Sequence, residues 1–378
     1  MKTHNLVEIA NSCGFNQHDL LPDDSKCPVT LYRPEFVPSR LLDEARTGWF
    51  PTGIRHCLGC ELCSKPPSAS FPAFTDRIIP AGGMREGYIP RAFGGALDSV
   101  VSLQLQHGEN QKRFDWVTDD IEISEHAGND GVALFVGCSP YYDVLLEEKI
   151  GFNPTSEARA AVELLNAIGV KPVVLPGEVC CGGDRLHAAD YDAFVALGNR
   201  NRELMKERGV TTIVTTCDDC RYTLANRYPG RIEGWDFRVV RLTDYLMEND
   251  GKLAFMPTRE TVVIQPPDIY SDPAQSDSMR KLLARVPDIT VMETIPGHPS
   301  TFGGWGQLDN VSKQMETALI KAAELSGAVR FLVPSTRVLV RLLEGRRPGS
   351  WEETSIRISG LYSFLASRHA VTEEFTGA

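Results

Sequence analysis

The sequence predicts an α/β fold, and three observations carry that expectation. Short apolar strand patterns alternate with amphipathic helix patterns between residues 132 and 215, the order that builds a parallel sheet. A second alternation of the same kind begins at Thr261. Hydrophobic residues make up 42% of the 378 positions and charged residues 24%, the balance of a folded chain rather than a disordered one. At this length two to three domains are expected.

Residues 1 to about 115 are rich in Pro, Gly and aromatics. Residues 38–46 have a helix pattern ended by Gly48, and residues 66–83 carry turn chemistry. Residues 104–130 are polar and read as a linker anchored by Trp116. Residues 132–137 form a short buried-strand pattern. Residues 155–168 are apolar at helical spacing, with Glu157, Arg159 and Glu163 on the polar side. Residues 171–175 read as a strand, 191–208 as a helix ended by Gly209, and 210–215 as a further strand. The region opened by residues 261–264 repeats this one. Residues 133–143 line up with 262–272, Cys180-Cys181-Gly182-Gly183 with Thr301-Phe302-Gly303-Gly304, and 213–217 with 331–335. Every cysteine position in the second copy holds another residue.

Charge excludes some functions. Lys and Arg number 39 against 50 Asp and Glu, a net −11, which argues against a nucleic-acid or anionic-membrane binder. The longest apolar runs, such as residues 132–136, are too short to span a bilayer. The start, Met1-Lys2-Thr3-His4-Asn5, lacks the apolar core of a signal peptide. A soluble, cytoplasmic protein is expected.

Ten cysteines are the informative residues, at 13, 27, 57, 60, 63, 138, 180, 181, 217 and 220. A disulfide scaffold is short and secreted; clustered cysteines in a chain of this kind point to metal ligands or redox groups. Cys57, Cys60 and Cys63 form C-x2-C-x2-C, a loop that can wrap three thiolates round one face of a cubane. Cys27-Pro28 has the form of the fourth cysteine of a ferredoxin run. The positions that would complete a second cubane hold Gln17, Leu20, Asp23 and Pro67, so one cubane is kept, on Cys27, Cys57, Cys60 and Cys63. The competing reading is a zinc site or reduced thiols, but zinc favours paired C-x2-C units. Cys13 is out of register and reads as a buried thiol.

The second constellation is Cys138, Cys180-Cys181-Gly182-Gly183 and Cys217-Asp218-Asp219-Cys220. Cys138 and Cys217 each follow an expected strand, so the parallel sheet gathers their loops at one edge. Adjacent cysteines cannot easily both serve one zinc ion but can serve a larger cluster, and the glycine pair permits close backbone approach.

This pattern resembles the CCG domain of the catalytic component of heterodisulfide reductase. Residues 1 to about 115 resemble the ferredoxin-like component of the same family fused in front. The resemblance implies an N-terminal, mostly helical ferredoxin-like domain (1–115), a CCG-type α/β module (130–255) and a degenerate second module (256–378). It implies that Cys138, Cys180, Cys181, Cys217 and Cys220 hold a non-cubane 4Fe–4S cluster. It further implies electron passage between the cubane and that cluster, thiol or disulfide chemistry at the latter, and redox partner subunits, either flavoprotein or iron–sulfur. Family members that cleave heterodisulfide hold it between two such clusters. Here the second copy offers Pro267, Thr301, Phe302, Ser335 and Val338, none of them a thiol. A subunit with a single non-cubane cluster is expected, in which only a homo-oligomer could pair two such clusters. Pure electron relay is the alternative to substrate chemistry, and a zinc-bound structural protein is the third reading.

His187, six residues after Cys181, is a candidate proton donor, weighed against a plain solvent-facing histidine. His56 and His298 are similarly ambiguous. Asp218 and Asp219 are expected in a solvated loop, and residues 147–149 at a solvated helix end. Residues 303–306 do not make a phosphate loop.

Overall fold

The structure is a computed structural model that describes residues 25, 27, 30, 33–37, 39–40, 95–107, 114–128, 131–187, 190–249, 253–265, 273–292, 310–345 and 355–369. Cys13, His56, Cys57, Cys60, Cys63, Pro267, His298, residues 301–306, the turn-rich stretch 66–83 and most of the helix expected over 38–46 lie outside the described residues.

Residues expected to be linker open with helix instead. Helix α1 (Ala96–His107) includes Gln104, whose side chain is buried at 1% exposure. The helix is held by Arg185, which donates to the Ser102 hydroxyl at 3.2 Å, and by Arg200, which donates to the Gln104 carbonyl at 3.0 Å. Polarity suggested a solvated segment; these long-range donors satisfy it internally instead. Trp116 is buried in the core, as its role of anchor requires.

The first sheet is parallel, in the order β1 (Val132–Phe135), β2 (Thr212–Thr215), β3 (Arg238–Arg241). Residues 171–175, expected as a strand, contribute only Val173, which bridges in parallel to Ala133 on the outer side of β1. Helices α2 (Ser139–Ile150), α3 (Thr155–Ala167), α4 (Gly183–His187), α5 (Tyr191–Glu207), α6 (Asp218–Tyr222) and α7 (Leu242–Glu248) fill the connections. Asp190 caps α5 by accepting the Ala193 N–H at 3.2 Å. The exposed end of α2, residues 147–149, is solvated as expected.

The second sheet is also parallel, in the order β5 (Thr290–Val291), β4 (Thr261–Ile264), β6 (Arg330–Val333), β7 (Arg357–Gly360). Its helices are α8 (Pro273–Leu283), α9 (Asn310–Leu325), α10 (Thr336–Gly345) and α11 (Leu361–Ala366). Strand order matches that of the first sheet with Val173 counted as its outer position.

The pleat divides the core in two. Ala133 and Phe135 join Phe194, Leu197 and Met205 of α5 on one face of the first sheet. Val132, Leu134 and Val136 face the other way, into a core shared by α3, Val262 and Ile264 of β4, and α11. Both faces of β1 are therefore covered, which suits an unbroken apolar strand. Glu157, expected on the polar side of α3, is buried at 1% exposure. Its carboxylate accepts the N–H groups of Tyr362 at 3.1 Å and Ser363 at 3.3 Å, at the start of α11, and also contacts the Ser363 hydroxyl. Helical periodicity cannot show that a charged residue caps a helix 205 positions away. No helix among the described residues is long and apolar enough to cross a membrane.

Candidate metal centre

Parallel pairing of β1 with β2 brings their C-terminal ends together, and each strand runs into a cysteine loop. After β1 the chain passes Val136 and Gly137 to Cys138, which stands at the N-terminal cap of α2. After β2 it reaches Cys217, at the cap of α6, and Cys220 lies within α6. The loop after Leu175 brings Cys180 and Cys181 to the start of α4. All five cysteines of the second constellation line one recess of ≈ 530 Å³ of atom-free space, open solvent included.

The thiols touch in series. Cys138 Sγ lies 3.5 Å from Cys180 Sγ, and side-chain hydrogen bonds continue from Cys180 to Cys181, to Cys220 and to Cys217. Cys180, Cys181 and Cys220 are buried, and Cys138 and Cys217 are half-buried at the two ends. Hydrogen bonding among the thiols, then burial, pushes Cys180, Cys181 and Cys220 well above the usual thiol range. Left alone these groups hold their protons, so any metal that takes them as thiolates releases protons on binding.

Backbone and buried polar groups fix the loops. Gly137 has φ +65°, and a Cβ there would lie 3.0 Å from Cys220 Sγ. Gly182 has φ +73°, and a Cβ there would meet Leu197 at 3.1 Å and Phe194 at 3.2 Å. Gly182 also donates its N–H to Cys180 Sγ at 3.3 Å. Glu178 is fully buried and accepts the N–H groups of Gly137 at 2.8 Å and Val136 at 3.2 Å. It thereby ties the Cys180 loop to the Cys138 loop. Asn201, reaching up from α5, accepts the Val179 N–H at 2.9 Å and donates to the Val179 carbonyl at 3.1 Å. Gln104 accepts the Cys180 N–H at 3.3 Å and donates to the Tyr141 hydroxyl. The Tyr228 hydroxyl donates to the Cys181 carbonyl at 2.8 Å. Just after α6 one turn, Thr223–Arg227, is π-helical, a departure that often marks functional sites.

Replacing Glu178 with alanine strands two buried N–H groups. A loss of roughly 1–3 kcal/mol in unfolding free energy is expected, measurable by urea titration of the metal-free protein. A change below about 0.5 kcal/mol, the range of ordinary surface substitutions, would remove Glu178 from this positioning role.

Asp218 and Asp219 correct an expectation, since neither lies in a solvated loop. Asp218 is buried at 4% exposure and paired with the buried Arg241. Its N–H donates to the Ser335 hydroxyl at 3.3 Å. Asp219 lines the recess, and burial raises its pKa while Arg337 opposes the shift. The partners lie far along the chain, so no local pattern announces them.

Of the second-copy positions, Ser335 and Val338 are described and both are buried. Ser335 packs on the Cys217 loop through Asp218, and the next residue, Thr336, donates its N–H to the Thr216 carbonyl at 3.0 Å. The cysteine-free half thus abuts the cysteine recess. Cys27 is buried, and its three expected co-ligands lie outside the described residues. His187 ends α4, and its side chain lies outside the described residues. Sequence reading missed Gly137, Glu178, Asn201, Tyr228 and Arg337. Only Gly137 carried a usable signal, a glycine set between a strand and a cysteine.

These donors fit a polynuclear iron–sulfur group. Five sulfurs converge from three loops, the backbone at Gly137 leaves the Cys220 sulfur no spare room, and two arginines, Arg227 and Arg337, stand in the wall. Among the described residues no group of three or more His, Cys, Asp or Glu side chains closes on a single metal ion.

Residues 132–225 match the family model described as CCG, cysteine-rich domain. An uncharacterised iron–sulfur protein of Methanococcus maripaludis is 29% identical over 285 residues, covering 72% of this chain and 53% of that protein. A subunit of the dihydromethanophenazine:CoB–CoM heterodisulfide reductase of Methanosarcina mazei is 24% identical, covering 70% of this chain and 63% of the relative. A subunit of the fumarate reductase (CoM/CoB) of Methanothermobacter marburgensis is 22% identical, covering 71% and 54%. A hypothetical protein from Helicobacter pylori superposes with TM-score 0.48 at 13% identity, covering 77% of this chain and 58% of that one. The chain spans roughly half to three fifths of the length of these curated relatives. It carries a CCG cysteine-rich domain and is related to iron–sulfur redox subunits, those of heterodisulfide reductase among them, which bears out the resemblance drawn from the cysteine spacing.

Proposed function

We propose that the chain is an iron–sulfur oxidoreductase subunit of heterodisulfide-reductase type. In this reading Cys138, Cys180, Cys181, Cys217 and Cys220 hold a non-cubane 4Fe–4S cluster, and Cys27, Cys57, Cys60 and Cys63 hold a cubane one. The carrying observation is the gathering of five cysteines, spread over 83 residues, into one recess at the end of a parallel sheet. Bound clusters would supply one-electron storage at potentials set by the surrounding protein.

The protein's part is to place and insulate the sulfurs. Glu178, Asn201 and Gln104 fix the loops from behind, while Tyr142 and Val136 wall the recess. Half-buried Cys138 and Cys217 leave the recess accessible at its outer end, where a thiol or disulfide substrate would approach. The named activities of the relatives support thiol and disulfide redox chemistry. The cysteine-free second half instead favours electron relay within a larger complex, because it offers no thiol at Ser335 or Val338 for a second such cluster. Partners would be flavoprotein or iron–sulfur subunits, and the thiols would stay reduced in the cytoplasm. The proposed division is a ferredoxin-like 1–115, a CCG module 130–255 and a degenerate module 256–378. His187 is retained as a proposed proton donor.

Iron and acid-labile sulfide on anaerobically purified protein test this directly. About eight irons per chain are expected, falling to about four in Cys27→Ser and in Cys181→Ser separately. Four irons lost only in Cys27→Ser would refute the recess as a cluster site. If iron is present, an electron paramagnetic resonance signal altered by added thiol or disulfide supports substrate chemistry, and an unaltered one leaves relay.

A further inference from the structure

We propose that Arg337, on the half of the chain without cysteine ligands, is a positioning residue that sets the reduction potential of the cysteine recess; this rests on the recess holding the cluster proposed above. Arg337 is the second residue of α10, two residues beyond Ser335, and its side chain lines the recess with only 11% exposure. It donates to Asp184 at 2.9 Å and lies 3.8 Å from Asp219. Asp184 sits in α4, three residues after Cys181, and Asp219 sits in α6 beside Cys220. One guanidinium therefore ties together the two segments that carry four of the five cysteines, Cys180 and Cys181 in one and Cys217 and Cys220 in the other.

Its charge matters as much as its reach. Among the described residues lining the recess, Arg337 and Arg227 are the cations, and no lysine or histidine joins them. Asp184 and Asp219 match these two arginines in number. Thiolates added to that balance make the recess strongly anionic and partly sealed from water, where charges interact at low effective dielectric. Adding an electron adds more negative charge. A fixed guanidinium at the wall favours the reduced form, so its removal should make reduction harder.

The backbone around Arg337 is set for this task. Thr336 bonds the Thr216 carbonyl, and Ser335 accepts from Asp218, so the first turn of α10 is docked on the Cys217 loop. The second half then contributes to the site through an arginine that lies between Ser335 and Val338, the positions aligned with Cys217 and Cys220.

The test is a potentiometric titration of the iron-loaded full chain, followed by paramagnetic resonance, in Arg337→Gln and Arg337→Lys. The Gln variant should shift to more negative potential by at least tenfold in the oxidised-to-reduced ratio, ~59 mV for one electron. The Lys variant should recover part of the shift. A Gln variant with full iron and an unchanged potential overturns the proposal. A Gln variant that keeps only about four irons while Lys keeps about eight overturns it, because the charge is then needed to assemble the site and not to set its potential. Failure of both folded variants to load overturns it, because shape is then the requirement. Wild-type protein without iron at the recess refutes the cluster reading itself, and this proposal with it.

Discussion

On the proposed ligand assignment, a Gly137→Ala chain is expected to lose the iron assigned to the Cys138–Cys220 recess and to keep the iron assigned to Cys27, Cys57, Cys60 and Cys63. Two effects act together. Gly137 has φ +65°, where a Cβ costs roughly 1–2 kcal/mol. That Cβ would also stand 3.0 Å from Cys220 Sγ, tighter than ordinary contacts allow. Relief by moving the loop is opposed, because Glu178 holds the N–H groups of both Val136 and Gly137. Relief by moving Cys220 withdraws a sulfur from the recess. Iron per chain should fall from about eight to about four. Gly209→Ala is the control: its φ is +70°, but nothing lies within 4 Å of a Cβ there. It should lose stability of similar size and keep all its iron. Full iron in Gly137→Ala would show that the recess tolerates displacement of Cys220 and does not set ligand geometry.

The sequence made the scaffold of this site legible and left most of its support hidden. Strands 132–135, 212–215 and 261–264 were readable because each has a short buried apolar centre. The convergence of Cys138, Cys180, Cys181, Cys217 and Cys220 followed from parallel strand order, since loops after parallel strands share one edge. What stayed hidden was polar and long-range. Glu157, Asp218 and Gln104 look like surface residues by type, yet each is buried against a partner distant in sequence. The strand expected over 171–175 is reduced to Val173, which makes only isolated parallel bridges, to Ala133 and to Ser124. Arg337 was silent because its role comes from how two sheets pack, not from its neighbours. Periodicity reports which face is apolar; it does not report which charged residue on that face finds a buried partner.

The Glu157 carboxylate should make stability fall as pH rises, against the usual behaviour of paired carboxylates. Burial pushes its pKa from 4.5 up to about 7, partly offset by hydrogen bonds from Ser363 and Tyr362. Below pH 4.5 the group is protonated in both folded and unfolded chains, and the folded state bears no charge penalty. Between about 4.5 and 7 the folded chain keeps a proton that the unfolded chain has released, so stability declines with pH. Above about 7 the penalty is complete. A shift from 4.5 to about 7 is 2.5 units, or roughly 3 kcal/mol at 1.36 kcal/mol per unit. Glu157→Gln keeps an acceptor for the α11 N–H groups without a charge, so its stability should be flatter across this window. Asp143, raised by burial to about 6, adds a slope of the same sign to both proteins and cancels in their difference. Urea unfolding of wild type and Glu157→Gln at about pH 4.5 and about pH 8 should therefore separate by roughly 3 kcal/mol more at the higher pH. The space allows no easy substitute for this contact, since a Cβ on Gly360 would overlap the carboxylate itself. Parallel curves for the two proteins would mean that the Tyr362 and Ser363 donors compensate the buried charge fully. The contact between α3 and α11 would then be an ionised cap at neutral pH, and the two halves of the chain would be held together independently of pH.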